Sequence, residues 1–157
     1  MKIGVALTLH ADAAETIADA RALEAAGVDS LWILGADADP WVLGAAVAAA
    51  TWRARLVLAG TEERETARAT LERIARGRLV AATQHGEELA LAAGSGEPER
   101  WRLRQFPAGR AEWKRILADA EASGLAGVVL PNDPRVLDLI RNPDVEEDRS
   151  DIKLAFG

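Results

Sequence analysis

Residues 24–43, EAAGVDSLWILGADADPWVL, decide the fold class of this chain. Gly27 is typical of the residue that ends a helix, and the apolar run at 31–34 follows it. Asp39 can then cap the start of the next helix, and Pro40 suits the first helical position, where its missing N–H costs nothing. The same order returns in residues 121–137, EASGLAGVVLPNDPRVL. Two β–α units with short connections predict a parallel sheet wrapped by helices.

The pattern continues outward from these two stretches as apolar runs that alternate with helical segments. Between residues 79 and 106 three strand-like runs follow one another with turn residues and little helix between them, which predicts antiparallel hairpins. The predicted strands cover residues 3–9, 31–34, 56–59, 79–84, 89–93, 101–106 and 127–130. The predicted helices cover residues 12–26, 41–50, 61–76, 110–123 and 133–143. The helix at 41–50 is apolar nearly all round, so we expect it to be well buried.

Length and composition restrict the class of protein. The chain has 157 residues, 25 of them acidic and 19 basic, a net charge of −6 and no cysteine. One domain is expected, over residues 1–143, with an acidic C-terminal tail at 144–157. The charge balance argues against nucleic acid as a partner, and the lack of cysteine excludes disulfides and thiolate chemistry.

Two further expectations concern location. No apolar run approaches the roughly 18–20 residues of a membrane span, so no membrane association is expected. Met1 leads directly into a strand-like run that lacks a signal peptide's cleavage site. A cytoplasmic protein is therefore predicted.

Four stretches carry a resemblance to a known family. They are residues 1–5 with 25–32 (MKIGV and AAGVDSLW), residues 48–56 (AAATWRARL), residues 70–79 (TLERIARGRL) and the ending at 133–151. Together they resemble luciferase-like monooxygenases, which are flavin- or deazaflavin-dependent oxidoreductases. The resemblance implies a (β/α)8 barrel with flavin mononucleotide or a deazaflavin at the carboxyl ends of the strands.

This chain is much shorter than the roughly 250 residues of such a barrel. Its first part matches about the first four strands and its last part the final units, so the expected fold is an α/β, truncated TIM-barrel-like repeat. The sheet is expected to be mostly parallel, with antiparallel hairpins near residues 79–106. The segment in which the family builds much of its phosphate site is missing, so two cofactor states stand open: a bound flavin or deazaflavin, or none.

Candidate site residues are those that follow the predicted strands. His10 follows the first strand and His85 the fourth, which makes both candidate catalytic residues at the carboxyl face. The alternative is two ordinary histidines in surface loops. Asp37 and Gln84 are candidate cofactor-binding residues on the same grounds, whereas Asp39 is better explained as a helix cap.

Three other features have a functional and a structural interpretation. Arg102 and Arg104 alternate with Arg100 along one strand and share a face, either as a clamp for an anionic cofactor or as the wet side of an outer strand. The stretch 94–96 (GSG) offers backbone N–H groups to a phosphate or forms a hairpin turn. The five tryptophans cover a cofactor ring or anchor the core. No metal site is predicted.

Two hypotheses for function follow. The first is a flavin or deazaflavin oxidoreductase with an unidentified small-molecule substrate. The second is a non-catalytic relative that keeps the barrel shell and acts through self-association or partner binding. Under both, the open edges of an incomplete barrel predict a homodimer.

Overall fold

The structure, a computed structural model, describes residues 1–8, 10, 12–34, 39–60, 64–92 and 96–142. Within these ranges the chain forms seven strands and five helices. They are β1 (Lys2–Ala6), α1 (Ala13–Ala26), β2 (Ser30–Leu34), α2 (Pro40–Ala50), β3 (Arg55–Ala59), α3 (Glu65–Ala75), β4 (Leu79–His85), β5 (Glu88–Leu91), β6 (Glu99–Leu103), α4 (Arg110–Ala122), β7 (Gly127–Pro131) and α5 (Val136–Arg141). The expected acidic tail at 144–157 lies outside the described residues.

The seven strands close into one barrel in chain order, with β7 pairing back onto β1. Pairing is parallel from β6 through β7, β1, β2 and β3 to β4, and antiparallel between β4 and β5 and between β5 and β6. The α/β class and the antiparallel hairpins near residues 79–106 are therefore confirmed. The expected open edges are wrong, because the hairpins bridge β4 to β7 and every strand has two neighbours.

Element boundaries differ from the prediction mainly around these hairpins. β4 runs on to His85, β5 begins at Glu88 and β6 begins at Glu99 and ends at Leu103. The last helix begins at Val136, three residues later than the predicted start at Asp133, because Asp133 folds a turn by accepting hydrogen bonds from Arg135.

The helix caps expected at Gly27 and Asp39 are confirmed, and Asp12 caps the start of α1. Asp12 accepts a hydrogen bond from the N–H of Ala14, and Gly27 ends α1 with a φ of 94°. Asp39 accepts from the N–H groups of Trp41 and Val42. Its carboxylate also bonds Arg64, and this hydrogen bond from Arg64 lowers the pKa of Asp39.

Replacing Asp39 with alanine is expected to lower the free energy of unfolding, because two N–H groups of the first turn of α2 lose their acceptor. Replacement with asparagine, which keeps a capping oxygen, is the matched control and is expected to cost clearly less. Urea unfolding of the three proteins measures both values. Equal losses for the two variants would contradict a capping role.

Apolar side chains form two layers separated by the barrel wall. The inner layer fills the barrel with Trp32, Val57, Leu89, Leu91, Trp101 and Val129. The outer layer lies between the barrel and the helices and includes Leu31, Leu56, Leu71, Trp113, Val128 and Leu130. Successive side chains of β2, β3 and β7 therefore point alternately into the barrel and out towards the helices, because side chains along a strand alternate between the two faces of the sheet.

Two tryptophans dominate the barrel interior. The rings of Trp32 and Trp101 lie 5.4 Å apart between centroids, tilted by 59°, and Trp32 Nε1 donates to Ser30 Oγ at 2.8 Å. Gly4 gives Trp32 its space, since a Cβ at position 4 would lie 2.3 Å from Trp32 Nε1. The interior is consequently a packed core at this level.

A charged cluster lies where β1, β3 and β6 begin, at the amino-terminal floor of the barrel. Glu99 bonds Lys2 at 3.0 Å and Arg55 at 3.1 Å, and it accepts from Trp101 Nε1 at 3.2 Å. Burial raises the pKa of Glu99, but the hydrogen bonds from Lys2, Trp101 and Arg55 outweigh burial and leave that pKa below its ordinary value. The cluster pairs opposite charges at this end of an apolar interior, but Arg55 Nη2 is buried and has no hydrogen-bond partner among the described residues.

A second polar cluster, outside the barrel, holds the turn that leads from α2 into β3. The buried carboxylate of Glu24 accepts hydrogen bonds from the N–H groups of Trp52, Arg53 and Ala54 at 2.8, 2.6 and 2.9 Å. Burial raises the pKa of Glu24, but these three hydrogen bonds outweigh it and the pKa lies below its ordinary value. Glu24 thus ties α1 to the start of β3.

None of the five helices in the described ranges is long and apolar enough to cross a membrane.

Candidate functional site

His10 lies in a hydrogen-bonded network beside α1. Its Nε2 atom is 2.9 Å from Asp19 Oδ2, and the same oxygen accepts from Asn132 Nδ2 at 2.6 Å. Its backbone N–H donates to Thr16 Oγ1 at 3.0 Å, and Glu15 lies 3.8 Å from its Nδ1 atom. This network joins the chain after β1 to the end of β7, at the carboxyl ends of both strands.

Gln84 and His85 occupy the end of β4. Val80 and Ala82 pack into the barrel interior, so strand alternation gives Gln84 the inward side and His85 the outward side. The Gln84 side chain donates to the carbonyl of Gly86 at 3.1 Å. Because β2 and β3 lie between β1 and β4, the two candidate catalytic histidines lie on strands that are not neighbours.

A cavity of about 430 Å³ lies beside β4 and includes both residues in its wall. We call it the β4 cavity. Its apolar walls come from Leu58, Leu79, Val80, Ala81 and Ala82, and Trp41 of α2 closes one side. Its polar groups are Thr83, Gln84 and His85 of the strand and Arg68 and Glu72 of α3, which pair with each other at 2.9 Å.

The position of the β4 cavity follows from the connection after β4. A parallel strand needs a long crossover, usually a helix, before its next partner, whereas an antiparallel strand needs only a tight turn. β4 turns at Gly86, which has a φ of 63°, directly into β5. No helix therefore follows β4 to cover its outer side, and a space remains next to α3.

Arg102 and Arg104 lie outside this cavity. Arg102 pairs with Glu88 at 3.4 Å, and Arg104 pairs with Glu87 at 3.5 Å. Arg104 borders a separate cleft of about 580 Å³ against α4, where Arg115 and Arg135 face the acids Glu87, Glu112 and Asp119. The equal numbers of acids and bases in this lining give an anion little net attraction.

The remaining candidates are placed as follows. Asp37 and the residues Gly94 and Ser95 lie outside the described residues. Of the tryptophans, Trp32, Trp101 and Trp113 are buried core residues, Trp52 is 62% exposed, and Trp41 borders the β4 cavity. The described residues include no group of three or more histidine, aspartate or glutamate side chains that would hold a metal ion.

The wall of the β4 cavity thus includes Gln84 and His85, which the sequence singled out, and Trp41, one of the tryptophans offered as a cover for a cofactor ring. Trp41, Arg68 and Glu72 come from helices, and their approach to β4 depends on how α2 and α3 pack on the barrel. A signal for Trp41 was present in part, since a large aromatic residue directly after Asp39-Pro40 stands at the carboxyl end of the β2 unit.

Comparison with protein-family models, with curated proteins and with solved structures finds no match for this chain. The likeness to luciferase-like monooxygenases therefore rests on the four sequence stretches quoted above.

Proposed function

We propose that this chain binds a flavin or deazaflavin, with the ring system of the cofactor in the β4 cavity. The observation that carries the proposal is the cavity itself, whose apolar walls end in the hydroxyl of Thr83 and the imidazole of His85, whereas the side chain of Gln84 takes the inward side of β4. Its volume of about 430 Å³ lies in the ordinary range for small-molecule sites, roughly 300–1,000 Å³. The sequence resemblance supplies the class of ligand.

The residues of the cavity fit such a ring system. Leu58, Leu79 and Ala81 offer apolar surface to a flat heterocycle, and Trp41 offers an aromatic one. Thr83 and His85, on the outward side of β4, bring a hydroxyl and an imidazole to one end of the wall, where ring nitrogens and carbonyl oxygens need partners. Arg68 in the wall pairs with Glu72 at 2.9 Å, so an anionic side chain of the cofactor would compete with that carboxylate for the guanidinium.

A bound flavin or deazaflavin would supply the electron or hydride transfer itself, and the protein would position it. In this proposal the Thr83 hydroxyl orients the ring, and His85 holds or moves a proton at the exposed end of the cavity. The alternative is a non-catalytic relative without a cofactor, and the same experiment decides between the two.

The test is a titration with flavin mononucleotide and, separately, with a deazaflavin, followed by tryptophan fluorescence and by melting temperature. We expect saturable quenching, because Trp41 borders the cavity, and a raised melting temperature, because a ligand that binds only the folded state stabilises it. Thr83→Phe, which puts a ring into the cavity from an exposed strand position, is expected to abolish both signals.

Two tryptophan variants form a matched pair of controls. Trp41→Phe is expected to lose most of the quenching and to keep the rise in melting temperature. Trp52→Phe is expected to keep both, because Trp52 is exposed and stacks under Arg76 at 5.0 Å, away from the cavity lining. If neither cofactor changes either signal in the unmodified protein, the cofactor proposal is wrong and the non-catalytic alternative stands.

A further inference from the structure

α2 differs from the other long helices of the shell in having no polar side chain. Its sequence is PWVLGAAVAAA, without a charged residue in 11 positions. By contrast α1 carries four charged residues, α3 four and α4 six. A helix that is apolar on all sides is normally covered on all sides.

The structure leaves the outer side of α2 uncovered. Trp41, Gly44, Val47 and Ala48 are buried against the barrel and α3. Val42 is 68% exposed, Ala49 is exposed, and Ala45 and Ala46 are half-buried. These four positions follow the i, i+3, i+4, i+7 spacing of one helix face, which we call the α2 face. The expectation of a well-buried helix is thus correct for one side and wrong for the other.

A groove continues the α2 face towards α3. It measures about 720 Å³ and is bordered by Val42 and Ala45 from α2 and by Ala67, Thr70 and Leu71 from α3. Small side chains at Ala45, Ala46 and Ala49 allow the backbone of a second helix to approach closely. The exposed Val42 side chain projects beside the groove, so the surface has a protruding side chain next to a depression.

The charges at the two ends of the α2 face are of opposite sign. Asp39 and Glu65 lie at its amino-terminal end with Arg64, whereas the exposed Arg53 and Arg76 lie beyond its carboxyl-terminal end. Two such helices packed antiparallel would bring the acidic end of each against the basic end of the other. That arrangement also opposes the two helix dipoles favourably.

We propose that the α2 face binds the α2 face of a second copy of this chain, antiparallel and about a two-fold axis near Ala46. A two-fold contact uses the same surface on both copies, and with the axis near Ala46 the Val42 side chain of each copy lies against Ala49 of the other. This proposal rests on the exposed α2 face and not on a bound cofactor, although Trp41 borders both the groove and the β4 cavity. It gives the predicted homodimer a basis other than open barrel edges.

The first test is sedimentation of the purified protein over a series of concentrations. We expect a dimer whose population rises with concentration, and we expect Val42→Asp to be monomeric throughout. The matched control is Ala118→Asp, at an exposed position on the charged helix α4, which is expected to remain dimeric. Both variants are expected to melt close to the unmodified protein, because both positions are exposed.

A crosslink tests the geometry. The chain has no cysteine, so Ala46→Cys introduces a single thiol at the proposed axis. Under mild oxidation it is expected to form a disulfide-linked dimer rapidly, since a disulfide needs Cα atoms within about 7 Å. Ala118→Cys is the control and is expected to crosslink slowly. A monomer at every concentration, or equal crosslinking of the two variants, would overturn the proposal.

Discussion

Gly4→Ala is expected to lower the free energy of unfolding by about 3 kcal/mol, at the upper end of the usual cost of overpacking a core. The added Cβ would lie 2.3 Å from Trp32 Nε1 and 2.8 Å from Ser30 Oγ. Trp32 has no room to retreat, because it is fully buried and packs on Trp101. The same methyl group at Gly96 meets nothing within 4 Å, so Gly96→Ala is expected to change stability very little.

A double-mutant cycle identifies the cause. If the Trp32 ring is what position 4 cannot accommodate, then Gly4→Ala is expected to cost less than about 1 kcal/mol in a Trp32→Leu background, although Trp32→Leu is itself destabilising. Chemical denaturation of the four proteins gives the interaction energy. Additive losses would show that contact with Ser30 Oγ or strain in β1, and not contact with Trp32, causes the effect.

Glu24→Ala is expected to cost about 3 kcal/mol, because it removes a charged acceptor from three backbone N–H groups of the turn into β3. Ala54 is buried, so water cannot simply replace the lost carboxylate there. Arg78 braces the same turn by donating to the carbonyls of Ala48, Thr51 and Ala54. Glu15→Ala, at an exposed position of the same helix, is the control and is expected to change stability by no more than a few tenths of a kcal/mol.

The effect of Glu24 is expected to depend on pH. Because the folded protein lowers the pKa of Glu24, the carboxylate contributes its full stabilisation above the ordinary glutamate value of about 4.3 and loses it as the pH falls through the lower, folded value. The difference in unfolding free energy between the unmodified protein and Glu24→Gln should therefore shrink in acid. A difference that is constant from neutral to acidic pH would mean that the carboxylate is not held in its charged form.

The features that could be predicted from the sequence are those set by neighbouring residues. Asp12, Asp39 and Gly27 cap their helices through contacts within a few residues, so their roles are visible in the chain alone. The turn at Gly86 likewise predicted the antiparallel pairing of β4 with β5.

Closure of the barrel could not be predicted in this way, because it depends on β1 meeting β7 across the whole chain. For the same reason only part of the wall of the β4 cavity could be predicted from the sequence. Gln84 and His85 follow a strand and were found, whereas Trp41 and Arg68 reach the cavity through the packing of helices. The burial of α2 was predicted from its apolar composition, and composition alone does not show which side of the helix packs against the barrel.

Pairing between the first and last strands also constrains the order of events during synthesis. Lys2 lies beside Gly127, and Ala6 beside Pro131, so β1 waits for its second neighbour until nearly the whole described chain has left the ribosome. Until then the nascent chain exposes the unpaired edge of β1 and the apolar side chains that pack against Val129 and Trp101 in the closed barrel. Long-range pairing of this kind is slow and exposes a chain to aggregation. A chaperone that shields an amino-terminal strand during translation would therefore benefit this protein more than one that acts after release.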